Sequence, residues 1–66
     1  IDMTVLELSS YLSEWQFIMI YKGSSDKIRF SGQVKDLPEE FYFDEVERIG
    51  IRVLNMTGPH LVVTAL

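Results

Sequence analysis

The chain opens with a spacing of apolar residues that suits a helix. Val5, Leu8, Leu12 and Trp15 recur at intervals of three, four and three, which sets them along one helical face. Ser9, Ser10 and Ser13 fall away from that stripe. Thr4 followed by Glu7 fits a capping box, with Met3 and Leu8 at the flanking staple positions. The spacing predicts a helix over about residues 5–12, too short to persist unless it docks on something.

From Trp15 to Lys22 the pattern becomes that of a strand: Phe17, Ile18, Met19, Ile20 and Tyr21 run into Gly23-Ser24-Ser25-Asp26, a turn composition. Lys27 to Val34 then alternates, with Ile28, Phe30, Gly32 and Val34 on one face and Lys27, Arg29, Ser31 and Gln33 on the other. A hairpin closed by residues 23–26 sets Lys22 against Lys27, Tyr21 against Ile28, Met19 against Phe30, Phe17 against Gly32 and Trp15 against Val34. This register turns Ile18 and Ile20 to the reverse face, opposite Ser31 and Arg29. Two accounts fit that placement. Either the first strand is central and its reverse side is covered by the C-terminal strands or a loop, or the two isoleucines form an exposed stripe, ringed by basic residues, that meets a partner.

Asp36-Leu37-Pro38-Glu39-Glu40 has capping-box spacing and a proline in its first turn. A single helical turn is expected there, with Leu37 and Phe41 plugging one end of the core. Residues 46–54 predict a third strand with Ile49, Ile51 and Val53 inward and Arg48, Gly50 and Arg52 outward. Residues 55–59 form a turn and 61–66 a fourth strand. The order α-β-β-short helix-β-β predicts an α+β fold, its N-terminal helix packed on a four-stranded, mainly antiparallel sheet. Strongly curved, the same elements close into a small barrel. One domain over 3–66 is expected, with Ile1-Asp2 a cloning remnant ahead of a native start at Met3.

With 66 residues and no cysteine, the chain has neither disulfides nor thiolate metal sites to compensate for a small core. An apolar content of 47% then favours self-association. No signal peptide or membrane-spanning run is visible, and the lack of cysteine suits a reducing cytoplasm. The net charge of −4 is unevenly spread: residues 36–47 carry −6 and the remainder +2. The acidic run reads as solvated surface, or as a mimic of nucleic-acid phosphates that occupies a basic groove on another protein. Lys27, Arg29, Arg48 and Arg52 flank Ile18 and Ile20 on the opposite face. Sheets that bind single strands stack bases on aromatics, and in this register Trp15, Phe17 and Tyr21 face the core, so nucleic acid is the least favoured partner.

No glycine-rich phosphate loop, nucleophile elbow or His-Glu-x-x-His pattern is present. His60, after a Gly-Pro turn, is expected to cap that turn or lie at the surface. Glu39 and Glu40 are adjacent and do not converge on one substrate from a helix. No enzyme activity, metal or cofactor is expected. Thr4-Val5-x-Glu7-Leu8, Ile18-x-Ile20-Tyr21 and Phe30-x-Gly32-x-Val34-x-Asp36-Leu37-Pro38 together resemble small accessory proteins encoded in phages and mobile elements of Gram-positive bacteria. The resemblance implies an intracellular, non-enzymatic protein and favours a modulator of host defence. The helix-then-strands order is also similar to Sm-like RNA-binding barrels, whose Asp-x-x-x-Asn element is absent here. The leading expectation is a self-associating cytoplasmic interaction module with Ile18, Ile20, Arg29 and Arg52 at its contact. The alternative is an acidic inhibitor using Asp36, Glu39, Glu40, Asp44, Glu45 and Glu47. The third is a nucleic-acid-binding sheet.

Overall fold

The computed structural model describes residues 2–54 and 56–66. The capping box forms as expected: the Thr4 hydroxyl accepts from the Glu7 N–H at 3.2 Å, and the Glu7 carboxylate accepts from the Thr4 N–H at 3.0 Å. Helix α1 (Val5–Ser9) is shorter than its apolar spacing suggests. Ser9 and Ser10 donate their hydroxyls to the carbonyls of Leu6 and Glu7 at 2.7 and 2.6 Å, local bonds that favour turns over continued helix. So brief a helix is held from outside. The N–H groups of Val5 and Leu6, unpaired in any isolated helix, donate to the carbonyls of Asp44 and Tyr42 at 2.9 Å each.

Four strands follow: β1 (Phe17–Lys22), β2 (Ile28–Gln33), β3 (Val46–Leu54) and β4 (Gly58–Ala65). They lie in the order β2-β1-β4-β3. The outer pairs are antiparallel and the central β1–β4 pair is parallel, so the α+β sheet is mixed but mainly antiparallel. Two 3-10 turns, Val34–Asp36 and Glu39–Phe41, stand where one helical turn was expected. Neither has a side-chain cap, so the Asp36–Glu39 capping box does not form. Gly58 and Pro59, expected in a turn, begin β4. Ile1 and Asn55, which belonged to the expected remnant and turn, lie outside the described residues. Gly23 and Gly58 hold φ of +60° and +75°, values that a side chain would strain.

The first hairpin differs from its expected register by one residue. Tyr21 does pair with Ile28, but a bulge follows, so Phe30 faces Ile20 rather than Met19, and Gly32 faces Ile18 rather than Phe17. A one-residue slip exchanges the two faces of a strand. Ile18 and Ile20 are therefore not an exposed stripe; both are 0% exposed. They pack with Val5 and Leu8 of α1, Val46, Val63 and Ala65, while Leu37 and Phe41 plug the core as expected. The absence of a Cβ at Gly32 leaves room for the Phe30 ring, which would sit 3.1 Å from one. Trp15 leaves the apolar face altogether; it is exposed, with the Lys35 ammonium 4.9 Å from its ring centroid.

Replacing Ile20 with Ala should cost about 2–5 kcal/mol, and Thr4→Ala about 1 kcal/mol through loss of the cap, both measured by urea denaturation. The double variant Ile18→Ser, Ile20→Ser, harmless if the pair lay at the surface, should fail to fold, as circular dichroism would show.

Candidate functional site

Both edges of the sheet are open to pairing, and they differ in protection. β2 is six residues long, bulged, and preceded by Lys27, features that discourage another strand from adding. β3 runs for nine residues. Ile49, Ile51 and Val53 occupy its helix side, opposite Val63, Leu61 and Pro59 of β4, the inward side assigned to them from alternation. They are nevertheless exposed, Ile51 and Val53 at 72% each. The cause is a mismatch of lengths. A five-residue helix extends about 7–8 Å, whereas a nine-residue strand extends about 30 Å. The helix reaches the Val46 end of β3 and leaves the other end bare.

The opposite face of the sheet carries Arg48, Gly50 and Arg52 of β3 in register with Thr64, Val62 and His60 of β4. Thr64 and Val62 are in turn paired with Tyr21 and Met19 of β1. A shallow groove of about 540 Å³ runs over this face, lined by Tyr21, Arg48, Arg52, Thr64 and the turn residues Ser25 and Asp26 among others. At its margin His60 is 5% exposed, its ring stacked on Phe17 at a centroid distance of 4.9 Å. Its Nε2 lies 2.6 Å from the Thr57 hydroxyl, while Nδ1 has no hydrogen-bond partner among the described residues. His60 thus does bond the turn, but from a buried position and not from the surface.

The four residues expected to form one contact are dispersed. Ile18 and Ile20 are in the core, and Arg52 lines the open-face groove. Arg29 lines a different cleft of about 360 Å³ with Lys22, Glu40, Phe41 and Asp44. Of the acidic residues, Asp44 is paired with Lys22 at 2.8 Å. Asp36, Glu39, Glu40, Glu45 and Glu47 are exposed and make no ion pair within 4 Å among the described residues. No group of three histidines and carboxylates able to hold a metal occurs among the described residues. Nor, among them, is any helix long and apolar enough to cross a membrane.

Tyr21, Phe17 and Met19 were assigned to the core and belong to the arginine face instead. Within residues 17–21 the one weak local signal for this is the Tyr21 hydroxyl, a single polar atom on an otherwise apolar side chain. Comparison with protein-family models, curated proteins and solved structures gives no match.

Thr57→Val removes the one hydrogen bond that the buried imidazole makes among the described residues, and should destabilise the fold by about 1–3 kcal/mol. Urea denaturation checks this, with Thr4→Val as a comparison for loss of a solvent-facing hydroxyl that has its own capping cost.

Proposed function

We propose that this chain is a non-catalytic interaction module and that its contact surface is the free edge of β3, which pairs with β3 of a second copy. The observation that carries the reading is the bare stripe of Ile49, Ile51 and Val53 on a long edge strand. An edge strand offers unpaired backbone groups along its length, and here the same edge carries three aliphatic side chains that the helix fails to cover.

Charge selects both the occupant and the register. An antiparallel pair related by a two-fold axis through Ile51 sets Ile51 on Ile51 and Val53 on Ile49 of the second copy. On the other face it sets Arg52 opposite Gly50, and Arg48 opposite Leu54. No like charges stand directly opposite each other, an arrangement that sheets favour. Moving the axis to Gly50 sets Arg48 against Arg52, and moving it to Arg52 sets that arginine against itself. Moving it to Ile49 sets Ile51 against the bulge between Val46 and Arg48 instead of against an apolar partner. One register therefore aligns the three apolar residues and separates the charges. A single-strand ladder buries less than the roughly 800 Å² per partner of a standard interface, so association should be concentration-dependent.

The chain has no cysteine, which makes single-cysteine variants clean reporters. In the proposed pair, opposed Cα atoms lie about 4.5–5.5 Å apart, within the range a disulfide spans. Ile51→Cys should form a covalent dimer on mild oxidation, and Val53→Cys should not, its two copies standing about 13 Å apart along the strand. Ile51→Asp should be monomeric by light scattering at concentrations where the unmodified chain dimerises. A monomeric unmodified chain at high concentration, with no Ile51→Cys cross-link, overturns the reading.

A further inference from the structure

The open face holds a second surface that does not depend on the β3 edge. We propose that its groove binds single-stranded nucleic acid, with Arg48 and Arg52 contacting phosphates and the Tyr21 ring stacking on a base.

The layout of the face carries this assignment. Tyr21 pairs with Thr64, and Thr64 with Arg48, in one row across three strands. The next row holds Met19, Val62 and Gly50. Beyond it Arg52 pairs with His60, on which Phe17 is stacked. Aromatic residues thus occupy the β1 column and arginines the β3 column, two strands apart, or about 10 Å. The arginines stand four residues apart, about 13 Å along the strand. Between them Gly50 has nothing within 4 Å of the position a Cβ would take, so the floor is open. A π-surface alongside a line of cations matches the alternation of bases and phosphates in an unpaired strand. An acidic peptide would use the cations and leave the ring without a role.

The electrostatics favour an anion at this place. Neither arginine makes an ion pair within 4 Å among the described residues. Ser24, Ser25, Thr64 and Tyr21 add hydroxyl donors, and among the lining residues Asp26 is the one carboxylate. The charged segment 36–47 contributes none of the groove's lining. The net charge of −4 opposes the approach of a polyanion, so binding should be weak and best seen at low salt. Two phosphate contacts on a single strand predict a salt slope of about −1.4, or about a sevenfold loss of affinity between 50 and 200 mM salt.

Fluorescence anisotropy with a short labelled oligothymidylate and oligouridylate tests the proposal. Arg48→Ala and Arg52→Ala should each weaken binding severalfold and flatten the salt slope. Asp26→Asn should tighten it, and Tyr21→Leu should weaken it while leaving the slope unchanged. A duplex of matched length should bind less well than the single strand, because its bases are already stacked. The exposed arginines can be replaced without touching the core, so the test stands even if Tyr21→Leu fails to fold. Repeating the titration in the Ile51→Asp background should give the same affinity per chain, which separates this site from self-association. No binding at low salt, wild-type binding by the doubly substituted Arg48→Ala, Arg52→Ala chain, equal affinity for duplex, or weakening by Asp26→Asn would each overturn it.

Discussion

Ile18 and Ile20 of β1 and Val63 of β4 are completely enclosed, and the rest of the molecule is arranged around keeping them so. A chain this small can assemble only one core. Parallel strands are normally found covered on both faces, yet here the parallel β1–β4 pair is covered on one side by a five-residue helix and two 3-10 turns. Those covers have little independent stability. α1 persists because the backbone of residues 42–44 completes its first turn and Thr4 bridges to Glu45. The apolar contact and the backbone bonds are therefore interdependent, and neither would hold the helix alone.

Local chemistry was legible. The Thr4–Glu7 box, four strands, the plug formed by Leu37 and Phe41, and the alternation of β3 all follow from spacing and residue type. The parity of the hairpin was not. Residues 17–21 are apolar on both faces, so the Tyr21 hydroxyl alone hints at which face meets water, and the clean alternation from Ile28 to Phe30 conceals the bulge. The bulge is a tertiary accommodation. It lets Ile28 stay beside Tyr21 while Phe30 swings toward Ile20 and lies 6.4 Å from the Phe41 ring. Exposure of Ile51 and Val53 was likewise hidden, because it depends on where Ser9 and Ser10 end the helix rather than on anything within β3.

The same one-residue shift both removes and supplies a candidate surface. It seals the isoleucines that had been the natural contact, and it moves Tyr21, Met19 and Phe17 to the side of Arg48 and Arg52. The objection to a nucleic-acid-binding face drawn from inward-pointing aromatics no longer holds for Tyr21 and Phe17, which leaves the net charge of −4 as the opposing factor. The helix side and the open side then have separate characters: bare aliphatic side chains at one edge, guanidinium and hydroxyl groups across the other face.

The position of β4 has a consequence for how the molecule comes together. Although it is the last strand in the chain, it lies inside the sheet, between β1 and β3. Until it inserts, β1 has only β2 beside it, and β3 is held only at its Val46 end, by the Met3 carbonyl. Such long-range pairing slows folding relative to local hairpins and leaves no half of the chain able to close a core by itself. Closing the core is thus tied to residues 58–65, without which the β1–β2 hairpin and β3 have no strand to join them.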